Sequence, residues 1–182
     1  MSIKLILLDR DGVLNQDRPD SVKSPDELVL IPGAAEAIAK LNRQGIKVAV
    51  ITNQAVVGRG TITLGDLSAI HGRLHRDLAA LGARLDEIFY CIDAMPSPRR
   101  KPAPGMILEA LEKFQIHPNE TLFVGDDLRD MEAAQAAGCY KVLVRTGKGA
   151  QNEKLGFPDH VGEYAVFDSL KDVVDEFLSQ PT

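Results

Sequence analysis

Asp9 and Asp11 stand two positions apart at the end of an apolar run, in "LILLDRDGVLN" over residues 5–15. Like charges at that spacing repel each other. Neither acid has an obvious local partner, so the compensating charge is expected from elsewhere in the chain or from a bound cation. Three more stretches carry matching chemistry. Thr52, Asn53 and Gln54 close a second apolar run. Arg99, Arg100 and Lys101 follow a Pro-rich piece. Asp126, Asp127 and Asp130 follow a third apolar run, "TLFVG". A hard divalent cation such as Mg²⁺ takes oxygen ligands and keeps some of its waters. Asp9 and Asp126 can each give it a carboxylate oxygen, and a backbone carbonyl near Asp11 a third. Lys101 is a point charge suited to an anion such as phosphate. The Thr52 hydroxyl and the backbone N–H groups of 52–54 can donate to further phosphate oxygens.

These residue types permit phosphoryl transfer through an aspartyl-phosphate. Asp9 acts as nucleophile, and Asp11 protonates the leaving alkoxide and then takes a proton from the attacking water. Such a reaction asks mainly for positioning and charge neutralisation. Gln54, Arg59, Asp127 and Asp130 are further candidates for the same site. Asp130 also has the position of a helix cap. His71 and His75, four apart, have a possible metal spacing, but their helix is expected to lie away from the strand ends.

The elements that must bring these groups together can be read from periodicity. Apolar, β-branched-rich runs at 3–9, 46–53, 121–126 and 141–146, with a weaker one at 85–91, read as strands buried on both faces. Helical spacing fills 33–45, 64–82, 104–116, 130–138 and 169–178. Alternation of this kind gives right-handed βαβ units, helices on both sheet faces and a mainly parallel sheet. Ligands of such sheets bind outside the carboxyl ends of the strands, where all of these candidates lie. Residues 148–165 are polar and read as surface structure.

The 182 residues fit one domain, expected over 1–182. With 45% hydrophobic and 26% charged residues, the core needs no disulfide or metal staple. The net charge of -5 argues against nucleic acid as a partner. Two cysteines are too few for a disulfide framework and suit a cytoplasmic location. The N-terminal apolar run is too short for a leader peptide, and no stretch reaches the ~18 apolar residues of a membrane span.

Asp-x-Asp-Gly-Val after a strand, Thr-Asn, Lys-Pro and Gly-Asp-Asp-x-x-Asp, in that order, resemble the motifs of the haloacid dehalogenase superfamily of phosphatases. The resemblance covers roughly residues 3–147. "DRDGVLN", "TNQAVVGRG" and "RRKPAPGM" resemble its branch of heptose bisphosphate phosphatases and histidinol-phosphatases. The resemblance implies a Rossmann-like, three-layer α/β/α fold. It makes Asp9 the nucleophile and Asp11 the acid/base. Mg²⁺ falls to Asp9, the Asp11 carbonyl and Asp126, and phosphate to Thr52, Asn53 and Lys101. Arg100 matches a residue that touches the sugar phosphate.

Two departures from the branch concern the substrate pocket. The branch carries a zinc loop of Cys-x-His and Cys-x-Cys, but here only Cys91 remains, with Asp93, Ser97 and Arg99 at the other positions. One ligand of four cannot hold structural zinc, so no zinc is expected and Pro96, Pro98 and Pro102 are left to stiffen the loop. Ala55 and Val56 stand where the branch favours Ser and Gly. Neither gap between motifs holds a separate cap domain, so the site is expected to be open and covered only by loops such as 15–32 and 95–100. The expected partner is a small phosphorylated metabolite and the expected state a monomer. D-glycero-D-manno-heptose 1,7-bisphosphate, losing its 7-phosphate, is the favoured substrate. Histidinol phosphate or another sugar phosphate is the alternative within the same reaction. A 3′-phosphatase of nucleic-acid ends and a non-catalytic binding module are the remaining readings.

Overall fold

A computed structural model describes residues 3–179; the ends of the expected 1–182 domain, residues 1–2 and 180–182, lie outside the described residues. The run that carries the acid pair forms β1 (Leu5–Leu8), in which all four side chains are buried. Ile6 and Leu8 enter one apolar cluster, while Leu5 and Leu7 enter another on the opposite face. A strand with leucine-class side chains on both sides has no face to offer water, so it sits mid-sheet under helices. Each such side chain contributes roughly 1.5–3 kcal/mol of burial free energy.

Five more strands join it: β2 (Lys47–Asn53), β3 (Glu87–Cys91), β4 (Thr121–Gly125), β5 (Tyr140–Val144) and β6 (Ala165–Phe167). The order is β3-β2-β1-β4-β5-β6 and every pairing is parallel. The chain builds outward from β1 through β2 to β3, then returns to lay β4 on the other side of β1. The crevice opens at that reversal, between the ends of β1 and β4. Leu8 pairs with Val124, so Asp9, just beyond β1, lies level with Gly125, the last residue of β4.

Helices α1 (Ala34–Arg43), α3 (Leu64–Ala80) and α7 (Leu170–Ser179) pack on the Ile6 and Leu8 face. Helices α4 (Gly105–Phe114) and α5 (Leu128–Ala136) pack on the other. Two short helices complete the set, α2 (Ala55–Gly58) after β2 and α6 (Gly149–Leu155) after β5. The result is a Rossmann-like three-layer α/β/α fold. Between β1 and α1 the only regular structure is a 3₁₀ turn at Pro25–Glu27, and β3 is an edge strand of the main sheet. Neither insertion forms a separate cap. Residues 148–165, expected as plain surface, hold α6 and a 3₁₀ turn whose Val161 is buried. Among the described residues no helix is long and apolar enough to cross a membrane.

Candidate active site

Asp9, Asp11, Thr52, Asn53, Gln54, Arg59, Arg100, Lys101, Asp126, Asp127 and Asp130 line one polar cleft of about 200 Å³ at the carboxyl edge of the sheet. Asp9 is the first residue beyond β1, held there by its N–H to the Val124 carbonyl at 3.0 Å. Its Oδ1 accepts from the Arg10 N–H at 2.7 Å and faces Lys101 Nζ at 3.1 Å. Oδ2 makes no hydrogen bond to a described residue. Burial, then the Asp130 charge, raises the Asp9 pKa to about 7 against the pull of Lys101.

Asp126 leaves β4 opposite Asp9. Its Oδ2 accepts from the Lys148 N–H at 2.8 Å. Gly12 and Gly147 wrap this carboxylate closely. A Cβ on either would lie 2.1 Å from Oδ2, and their φ values are +85° and +58°. The Thr146 hydroxyl donates to the Gly12 carbonyl at 2.6 Å, tying the two wrapping turns together. Burial, then the Asp9 charge, pushes Asp126 up to about 9.

Carboxylate oxygens of Asp9, Asp126 and Asp130 fall within 4.8 Å of one another. Asp130 is already committed. Its Oδ1 pairs with Lys101 Nζ at 2.7 Å, and its Oδ2 accepts from the N–H groups of Asp126 and Asp127 at 3.1 and 3.2 Å. The helix cap expected at Asp130 falls on Asp127; Asp130 is the third residue of α5, where it closes the capping box with Asp127 and also anchors Lys101. Asp9 and Asp126 are the acids with an oxygen to spare. Two buried, hard oxygen donors that resist ionising together fit a divalent cation.

Lys101 is nearly enclosed. Its Nζ meets Asp130, Asp9 and the Ile51 carbonyl, the last at 2.8 Å, and sits 5.6 Å from the centre of the Phe123 ring. Burial alone would lower its pKa; the Asp130 and Asp9 charges override that and keep it protonated. Asn53, expected on phosphate, spends its side chain on the Lys101 backbone, donating to O at 2.9 Å and accepting from N at 3.1 Å. The Gln54 N–H, expected as a phosphate donor, is bound to the Cys91 carbonyl at 2.7 Å because α2 starts only at the next residue.

The expectation that Asp11 has no local partner is corrected by Arg10. The chain leaves extended geometry at Asp9, and the Arg10 carbonyl accepts from the N–H groups of Val13, Leu14 and Asn15. Neighbouring side chains can therefore meet. The wholly buried Arg10 guanidinium donates to Asp11 Oδ1 at 2.9 Å and Oδ2 at 3.0 Å. Asn15 Nδ2 and Gln54 Nε2 add bonds of 2.9 and 3.0 Å to the same carboxylate. Gln54 also donates to the Thr52 hydroxyl at 2.9 Å. Burial opposes the charged form of Asp11, but Arg10 and these hydrogen bonds outweigh it and lower the pKa. His71, expected to lie away from the site, reaches this network from α3, with Nε2 3.2 Å from Arg10 Nη1.

The loop of 92–100 is fastened by its own side chains. Cys91 Sγ donates to Asp93 at 3.4 Å, Ser97 Oγ accepts from the Arg100 N–H at 3.2 Å, and Arg100 Nη1 donates to the Asp93 carbonyl at 2.8 Å. Arg99 grips Glu109 and the Tyr90 carbonyl and does not line the cleft. Arg59, Arg100 and Asp127 do line it, together with Arg18, Arg129 and Lys148, which sequence reasoning missed. Lys148 follows β5, so the strand-end rule that found the other groups applied to it as well.

A family model of haloacid dehalogenase-like hydrolases matches residues 20–138. A D-glycero-beta-D-manno-heptose-1,7-bisphosphate 7-phosphatase of Neisseria meningitidis serogroup B is 41% identical over 99% of this chain and 97% of its own. One of Pseudomonas aeruginosa is 42% identical over 98% and 99%. Among solved structures, the D,D-heptose 1,7-bisphosphate phosphatase of B. bronchiseptica, complexed with magnesium and phosphate, is 39% identical. It superposes with a TM-score of 0.92 over 98% of this chain and 100% of that one. Acids, lysine and threonine converge at one sheet edge, and full-length relatives share the fold: the chain belongs to the haloacid dehalogenase-like hydrolases.

Proposed function

We propose that this chain is a Mg²⁺-dependent phosphatase that removes the 7-phosphate of D-glycero-D-manno-heptose 1,7-bisphosphate through an aspartyl-phosphate on Asp9. The observation that carries the reading is the pairing of Asp9 and Asp126 across β1 and β4, with Lys101 3.1 Å from Asp9. The full-length relatives named for this substrate support it. Asp9, the Asp11 carbonyl and Asp126 would hold the cation. When bound, Mg²⁺ neutralises the acids and the incoming phosphate oxygens.

The remaining work falls to side chains. An Asp9 oxygen attacks phosphorus as the bond to the sugar oxygen breaks, and Asp11 gives that oxygen a proton. Asp11 then takes a proton from water as the water attacks the aspartyl-phosphate, releasing phosphate and restoring Asp9. The Arg10, Asn15 and Gln54 contacts that lower its pKa favour the base form needed for that second proton transfer. Lys101 offsets negative charge throughout, and the Thr52 hydroxyl orients a phosphate oxygen. Asn53 acts by fixing the Lys101 backbone. Arg100, and the cations Arg18, Arg59 and Lys148 around the cleft, suit a substrate with a second phosphate. The chain works as one cytoplasmic domain and needs no zinc, since loop 92–100 is tied by hydrogen bonds.

Steady-state kinetics with Mg²⁺ across heptose bisphosphate, sugar monophosphates and histidinol phosphate test the reading. The bisphosphate is expected to have the highest kcat/KM. Turnover of simple sugar phosphates or histidinol phosphate at an equal or higher kcat/KM overturns the substrate assignment.

A further inference from the structure

His71 is a buried residue on the leucine-lined face of α3. A guanidinium has donors only, so at 3.2 Å from Arg10 Nη1 the His71 Nε2 must accept and the ring proton must sit on Nδ1. Burial, then the Arg10 charge, pushes His71 down to about 3, so the ring is the neutral acceptor that this bond requires. The roles of the Arg10 donors are divided. Nη2 serves both Asp11 oxygens and Gln54 Oε1, the last at 3.2 Å; Nε serves Asp11 at 3.3 Å; among the described residues Nη1 bonds only to His71. Arg10 is cut off from solvent, so loss of that acceptor leaves a buried donor unpaired, at the cost of its desolvation. A planar group fixed at one corner by His71 presents its other edge to Asp11 in a single orientation.

We propose that His71 is a positioning residue for Asp11, acting through Arg10: it locks the guanidinium so that the carboxyl of Asp11 stays aimed at the leaving oxygen. The inference rests on the assignment of Asp11 as the proton carrier. No contact of His71 with substrate is involved. It lines a separate small cavity beside Tyr90, whose ring centre lies 5.7 Å from its own.

The test uses leaving groups of different need. An alkoxide must be protonated as it departs, whereas p-nitrophenolate leaves without help, and kcat/KM reports the first, phosphorylating step. His71→Leu is expected to lower kcat/KM for a sugar phosphate by about tenfold or more, the scale of a displaced catalytic group. The loss with p-nitrophenyl phosphate is expected to be far smaller. His71→Gln, whose amide oxygen can take the place of Nε2, restores most of the lost rate. His71→Met serves if the leucine variant does not fold. Equal losses on both esters, no loss on the sugar phosphate, or a glutamine variant no better than leucine overturns the proposal. A wild-type protein inactive on every ester overturns the functional reading and this inference with it; an active wild type with equal losses overturns the inference alone.

Discussion

Lys101 and Asp130 form a buried ion pair, Nζ to Oδ1 at 2.7 Å, that joins the loop before α4 to the first turn of α5. Both side chains are almost wholly buried, so the charge of each rests largely on the other. In Asp130→Asn the amide oxygen can still accept from the N–H groups of Asp126 and Asp127, which turns the amide nitrogen toward the ammonium. Removing one partner of a buried pair costs about 3–5 kcal/mol. Chemical denaturation is expected to show a loss near the lower figure, because Asp9 remains 3.1 Å from Lys101. Activity falls with it; unchanged stability and activity would contradict the pairing.

The two raised acids set the pH dependence of the metal-free protein. Folding raises Asp9 to about 7 and Asp126 to about 9, so the folded chain holds these protons more tightly than the unfolded chain. That contribution to stability is complete below the ordinary carboxylate range and is lost as pH rises through those values. Without metal, Tm is expected to fall between about pH 5 and about pH 9. Added Mg²⁺ raises Tm, and by more at the alkaline end, where both acids are ionised. A Mg²⁺ shift that is largest in acid would show that the cation is held elsewhere.

Gly147→Ala tests how Asp126 is held. The new Cβ would lie 2.1 Å from Oδ2 in a backbone with φ +58°, so the carboxylate or the turn must move. Titration of activity with Mg²⁺ is expected to show the half-saturating concentration raised by about tenfold or more, as expected for a displaced ligand. Gly45→Ala has open space around its Cβ and leaves that titration where it was. An unchanged titration in Gly147→Ala would remove Asp126 from the cation site.

Much of this architecture is legible in the residue order. The strands with side chains buried on both faces announce themselves as apolar runs, and strand-end positions alone collect the acids, Thr52 and Lys101 in one place. The missed elements lack that signal. Strand β6 has three residues and none fully buried, and α6 buries only Gly149, so neither shows a period. The Arg10–Asp11 pair has no signal in the sequence, because neighbours along an extended strand point to opposite faces; the turn of residues 10–15 folds Arg10 back onto Asp11 instead. His71 sits on a leucine stripe, where position along the helix says nothing of the residue it meets across the sheet. The spent side chain of Asn53 depends on where Lys101 lands, a contact between residues 48 positions apart.

The central claim is that Asp9 takes the phosphoryl group, and phosphate release by wild-type protein and Asp9→Asn, each with Mg²⁺ and heptose bisphosphate, tests it most directly. The amide keeps the shape of the site and cannot attack phosphorus. Wild-type turnover with loss of at least about 10³-fold in the folded variant is the expected result. A variant that folds and still releases phosphate at the wild-type rate would contradict the account.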